Sequence, residues 1–193
     1  MSMTADDPVL YLVACGGYPA ADLPAFVEYA QGAGWDVCVV ATPSATGFLD
    51  AGRLAELTGH PVRSAYKRPG EPDVLPPADA IVVAPATFNT VNKIVAGVSD
   101  TLALGLLNEA VGAGLPIIIA PYPNSALAAH PAYAASIATL RSWGVRLVIG
   151  RPGDPRAGAD QPGRENTAFP WDDLRTALAT LRTVPPRGAD ADS

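Results

Sequence analysis

The chain has 193 residues, 49% of them hydrophobic and 17% charged, which is globular composition with enough apolar material for one sizeable core. Its net charge of −6 leaves no concentrated basic surface, so no nucleic-acid partner is expected. No run approaches the roughly 20 apolar residues of a membrane span, and the opening MSMTADDP lacks the basic-then-apolar order of a signal peptide, so a cytoplasmic protein with no membrane partner is expected.

Along the chain, short β-rich runs alternate with longer helical patterns. VLYLVACGG (9–17) comes first, followed by the helical pattern DLPAFVEYAQGAG, then WDVCVVATP (35–43) and the helix FLDAGRLAELTG. A weaker run, VRSAY (62–66), and a loop dense in Pro, Gly and charge, RPGEPDVLPP (68–77), precede AIVVAPAT (80–87). NTVNKIVAGV reads as a helix continuing into SDTLALGLLNEAVGAG, followed by PIIIAPYP (116–123), the helix HPAYAASIATLRSWG and VRLVIG (145–150). RPGDPRAGADQPGREN (151–166) reads as a loop, FPWDDLRTALATLRTV as a last helix, and PPRGADADS as a disordered tail. This divides the chain into one domain over 1–184 and a tail over 185–193.

Near-continuous apolar strands separated by helices indicate a parallel sheet buried on both faces. Gly34, Gly59, Gly114 and Gly144 each stand where a helix should stop before the next strand. The expected fold is therefore α/β, a doubly wound, Rossmann-like parallel sheet flanked by helices. Cys15 and Cys38 lie inside apolar runs and read as small core hydrophobes. They have no zinc-type spacing, and no metal site is expected.

In such a sheet, ligands bind beyond the carboxyl ends of the strands. The first run ends in ACGGYPA, which lacks the G-x-G-x-x-G fingerprint, so a standard dinucleotide site is unsupported. The second ends in TPSATGF, where Ser44 and nearby amides could hold a phosphate at a helix start. The third and fourth end in APATFNTVNK and APYPNSALAAHPAY. Taken singly, the Pro and Asn of these loops are ordinary turn and capping residues.

Together they resemble a known family. PATFNTVNKIVAGVSDTL (85–102) is similar to the P-A-S-A-N-T segment of the flavin-dependent cysteine decarboxylases and to the helix and N/A-G-x-x-D-N-L that follow it. PYPNSALAAHP (121–131) resembles that family's P-x-M-N-x-x-M-W in register at Pro121 and Asn124, with Leu127 and Ala128 replacing Met and Trp. PGR (162–164) resembles the G-R of its substrate-clamping loop. The resemblance covers residues 9 to about 180. It implies flavin mononucleotide, with the dinucleotide form possible, held at a subunit contact of a homotrimer or homododecamer. Gly16, Gly17 and Ser44 would surround the phosphate, Ala86, Thr87 and Thr90 would touch the ring system, and Ser99 and Asp100 would lie nearby.

The implied reaction oxidises a cysteine thiol and releases the adjacent carboxylate, which Asn124 would bind. A peptide or small cysteine-containing molecule is the expected substrate. The family's catalytic His falls at Glu71, counting fourteen residues back from Pro85. A carboxylate there could act as a base but not as a cation. His130, three residues past Leu127, is a candidate substitute, and a helix-start residue is an equal reading; His60, after Gly59, reads as a capping or solvent-facing residue. The coenzyme A branch uses a loop cysteine that this chain lacks, which disfavours phosphopantothenoylcysteine as substrate. Three readings stay open: oxidative decarboxylation of a C-terminal peptidyl cysteine, another flavin redox reaction, and a flavin-binding module without turnover.

Overall fold

The structure is a computed structural model that describes residues 7–150 and 169–181. Its centre is a five-stranded sheet of β1 (Val9–Ala14), β2 (Asp36–Ala41), β3 (Ala80–Ala86), β4 (Ile117–Pro121) and β5 (Arg146–Leu147). The strands run parallel in the spatial order β2-β1-β3-β4-β5. Around them lie α1 (Leu23–Gly32), α2 (Ala51–Thr58), α3 (Phe88–Val95), α4 (Leu102–Ala113), α5 (Ser125–Ala128), α6 (Pro131–Ser142) and α7 (Trp171–Leu181).

Alternate residues of each strand feed opposite faces, because successive side chains of a strand point to opposite sides. Leu10, Leu12, Val37, Val39, Val82 and Ile118 face one core with Phe26 of α1, Leu54 of α2 and Leu174 of α7. Tyr11, Val13, Cys38, Val40, Val83 and Ile119 face the other, with Val91 of α3, Leu107 of α4 and Leu140 of α6. Both faces are covered, which is why the runs carry no polar alternation. Truncating a fully buried residue such as Leu12 to Ala would cost about 2–5 kcal/mol.

Helix ends follow the local chemistry. Gly59 and Gly114 close α2 and α4 in the left-handed conformation, with φ of 74° and 68°. The expected continuous helix over 89–114 is instead two helices. Gly97 turns the chain at a φ of 67°, and the Thr101 side chain caps the new start by accepting from the Leu104 N–H at 3.3 Å. The weak run at 62–66 contributes a single bridge, Arg63 beside Val40, rather than a strand. No helix among the described residues is long and apolar enough to cross a membrane. The expected loop at 151–166 and the tail at 185–193 lie outside the described residues.

Candidate functional site

The strand order reverses between β1 and β3, the point at which an open parallel sheet places its ligand crevice, beyond the carboxyl edge. Four loops meet there. After β1, Gly16 lies so close to the β2 loop that a Cβ on it would stand 2.9 Å from the Ser44 carbonyl oxygen. A Cβ on Gly17 would meet Pro85 of the β3 loop at 3.5 Å and the Tyr122 ring of the β4 loop at 4.0 Å. The Thr42 N–H donates to the Ala14 carbonyl at 2.8 Å, the Cys15 N–H to Pro85 at 3.1 Å and the Tyr122 N–H to Ala86 at 2.8 Å, fixing the four loops to one another.

The chain then enters short 3₁₀ turns at Tyr18–Asp22 and Pro43–Gly47, each with Pro in its first turn. The N–H groups of Gly16, Gly17 and Ser44 take no backbone acceptor among the described residues. The Ser44 hydroxyl lies 3.3 Å from the Thr42 hydroxyl. This is a cradle of open backbone donors on glycine, suited to an anion such as a phosphate.

The β3 loop supplies hydroxyls. Thr87 caps α3, accepting from the Thr90 N–H at 3.3 Å, and the two hydroxyls lie 3.0 Å apart. Beneath them the Cys15 thiol donates to the Thr90 hydroxyl at 3.2 Å. Complete burial raises the Cys15 pKa, only partly offset by hydrogen bonding with Thr90 and Thr87, so the thiol stays protonated. Reading Cys15 as a core hydrophobe missed this contact. The signal was its place at the strand end beside Gly16, rather than within the strand.

Asn124 caps α5, its Oδ1 accepting from the Leu127 N–H at 2.9 Å. Its amide NH₂ makes no hydrogen bond among the described residues and is available to donate. His130 is exposed and caps α6, its Nδ1 accepting from the Ala132 N–H at 3.1 Å. Its ring packs edge-on against Phe88 with centroids 5.5 Å apart, so the Asn-bearing loop touches the residue that follows Thr87.

Three expected residues lie elsewhere. Glu71 is exposed in a turn, where its carboxylate accepts from the Arg68 N–H at 2.9 Å; among the described residues its hydrogen bonds run to Arg68 alone. Ser99 and Asp100 lie at the α3–α4 junction. The Ser99 hydroxyl accepts from Asn108 at 2.8 Å, and Asp100 pairs with Lys93 at 2.5 Å. Among the described residues, no hydrogen bond or ion pair links these three side chains to the four loops. The exposed edge of the crevice is instead aromatic: Tyr18 and Phe48 pack edge-to-face at 5.8 Å, 51% and 38% exposed.

The sequence model of the family described as Flavoprotein matches residues 6–184. The chain is 34% identical over 177 residues to the coenzyme A biosynthesis bifunctional protein CoaBC of Mycolicibacterium smegmatis, a match covering 86% of this chain and 39% of that protein. It thus spans about two fifths of that curated relative's length. Among solved structures, the FMN-dependent cysteine decarboxylase SpaF superposes with a TM-score of 0.70 at 24% identity, covering 92% of this chain and 98% of SpaF. A mutant PPC decarboxylase complexed with pantothenoylaminoethenethiol superposes with a TM-score of 0.70 at 19% identity, covering 92% and 100%. At these identities the likeness is one of fold.

Proposed function

The chain belongs to the Flavoprotein family, and from that membership we propose that it binds flavin mononucleotide at the carboxyl ends of β1 to β4 and oxidatively decarboxylates a C-terminal peptidyl cysteine. The observation that carries the reading is the convergence of Gly16, Gly17 and Ser44 with the Pro85–Thr90 segment around one crevice. The residues fit the cofactor. A glycine that leaves no room for a Cβ lets open amides face a phosphate, and the Thr87 and Thr90 hydroxyls stand next to them on the β3 side. Flavin dinucleotide would use the same phosphate donors.

Bound flavin would supply a two-electron oxidation of the substrate thiol, giving a thioaldehyde that delocalises the charge left when carbon dioxide departs. The chain's own residues do the positioning. Asn124 keeps its Oδ1 in the α5 cap and turns donor hydrogens toward the leaving carboxylate. The Cys15 to Thr90 to Thr87 contacts hold the β3 hydroxyls in one arrangement. The edge lined by Tyr18 and Phe48 is open in a single chain, which supports completion of the site by a second copy. Assembly as a homotrimer or larger should appear in light scattering. The α4 helix is less suited to that contact than its apolar sequence implies, because Ala103, Leu104, Leu107 and Ala110 turn inward.

Incubating the protein with peptides ending in Cys tests the activity. The product should be lighter by about 46 Da, carbon dioxide plus the two hydrogens passed to flavin and on to an external acceptor. A second reading, decarboxylation of phosphopantothenoylcysteine, is favoured by the likeness to CoaBC. That route returns the hydrogens to the product, for a loss of about 44 Da. Both cysteines of this chain are buried in or at strands, so no loop thiol stands ready to return the proton, and the peptide reading is preferred. A flavin-loaded protein that leaves every Cys-terminal peptide unchanged would overturn it.

A further inference from the structure

We propose that Asp36, Cys38 and His60 form a binding site for a transition-metal cation of the zinc class, at the amino end of the edge strand β2 and separate from the strand-end crevice. Asp36 and Cys38 are alternate residues of one strand, so their side chains share a face. His60 reaches them because Gly59 ends α2 in the left-handed conformation, and the His60 N–H is held by the Thr58 hydroxyl at 3.2 Å. The three donor atoms, one sulfur, one nitrogen and one oxygen, all lie within 4.8 Å of one another.

The donor set selects the metal. A thiolate and an imidazole favour zinc, cobalt or ferrous iron over magnesium or calcium, which take oxygen ligands. Three protein ligands leave a fourth position for water. Side-chain exposures of 22% for His60 and 17% for Asp36 provide the path to it. Tetrahedral ligands about 2.0–2.3 Å from zinc lie roughly 3.3–3.7 Å apart. The His60 Nε2 and Asp36 Oδ1, now hydrogen-bonded at 2.7 Å, would part by about half an ångström, and the Cys38 sulfur, within 4.8 Å of both, would close in.

Cys38 is fully buried and its sulfur makes no hydrogen bond among the described residues, so coordination displaces no existing partner. On binding, its thiol gives a proton to the buffer and coordinates as thiolate, with no change of oxidation state. Cys15 makes the contrast: equally buried, it already donates to Thr90 and has neither imidazole nor carboxylate beside it. Sequence spacing hides the site, since His60 lies beyond a whole helix from Cys38.

The test uses the untagged full chain, stripped of metal and titrated with cobalt(II). Spectra are read against the metal-free protein so that any flavin absorption cancels. One equivalent should bind with a sulfur-to-cobalt charge-transfer band and the visible bands of a four-coordinate ion, and zinc should displace it. Cys38→Ala should lose the charge-transfer band. His60→Gln, at a partly exposed position where circular dichroism should be unchanged, should weaken zinc binding at least about tenfold in chelator competition. Failure of the wild-type chain to take up one equivalent, or a charge-transfer band that persists in Cys38→Ala, would overturn the site.

Discussion

The two ends of the sheet each hold a buried cysteine, and their surroundings differ in kind. At the carboxyl end, Cys15 sits under a hydroxyl pair and beside two glycines, in loops that hydrogen-bond to one another across four strands. At the amino end of β2, the Cys38 sulfur makes no hydrogen bond among the described residues, and its polar neighbours Asp36 and His60 come from a strand and from the far side of a helix. Burial pushes both thiols up; Cys38, with the Asp36 carboxylate beside it, rises to about 12. In a parallel sheet every strand delivers its own following loop to the carboxyl end, so a site there is written as contiguous segments. The amino end of β2 instead brings His60 to Asp36 and Cys38 from beyond a whole helix.

If the chemistry belongs to the carboxyl end alone, its largest lever is Asn124. An aspartate would still cap α5 through its carboxylate oxygen, so fold and flavin content should survive. It would, however, replace a hydrogen-bond donor by a like charge facing the substrate carboxylate. Turnover of a Cys-terminal peptide by Asn124→Asp should fall by at least about 100-fold in the mass-spectrometric assay. Activity near wild type would remove Asn124 from the site and break the contrast between the two ends.

The proposed phosphate cradle gives the next effects. Ser44→Asp would set a carboxylate against the phosphate, and calorimetry should show flavin affinity reduced by about 100-fold, which salt partly restores. Gly16→Ala acts by shape. Its Cβ would meet the Ser44 backbone 2.9 Å away, and neither loop can yield without disturbing the other. A stability loss of about 1–3 kcal/mol and about tenfold weaker flavin binding are expected by thermal unfolding and fluorescence titration.

The contrast between the two ends also explains what the sequence discloses. The five apolar runs and the glycines at 34, 59, 114 and 144 read directly as parallel strands and helix stops, because burial on both faces and left-handed caps are local demands. Ser44 reads as a strand-end residue from its own segment, while Gly16, Gly17 and Thr87 come through the resemblance; all four follow a strand, and their loops meet at the carboxyl edge of the sheet. The break at Gly97 was hidden by apolar periodicity running through it, although Thr101 followed by Leu104 offered a capping signal. Glu71, Ser99 and Asp100 come through the same resemblance but follow no strand, and among the described residues their side chains pair with Arg68, Asn108 and Lys93. The meeting of His60 with Asp36 depends on where a whole helix ends and had no local signature.

A smaller effect distinguishes Cys15 as a working part of its end of the sheet. Its folded pKa is raised, so the native state holds a proton that the unfolded chain releases. The stabilisation is full below the ordinary thiol value of about 8.5 and is lost as pH rises above it, by up to about 1.4 kcal/mol per pH unit. Urea unfolding at increasing pH should show this decline in the wild type and a shallower one in Cys15→Ala. Because that variant also frees the Thr90 hydroxyl, its flavin affinity should drop by about twofold to tenfold.

The smallest effect is expected at Glu71, on the connector that runs from α2 back to the amino end of β3. There the Pro76 carbonyl accepts from the Tyr11 hydroxyl, and the Asp79 carboxylate accepts from the Val9 N–H. Glu71 faces water, and among the described residues its carboxylate accepts only the Arg68 N–H of its own turn. Glutamine keeps an acceptor oxygen at the same reach, so Glu71→Gln should preserve the turn, with stability within about 0.5 kcal/mol of wild type. A base acting on substrate must come within hydrogen-bond reach of the proton it takes, and among the described residues no hydrogen bond or ion pair ties Glu71 to Gly17, Thr87 or Asn124. Turnover and flavin affinity should therefore match the wild type across pH. Loss of turnover with flavin binding intact would instead mean that the connector of one copy reaches the crevice of another, making the base a contribution of the assembly rather than of the single chain.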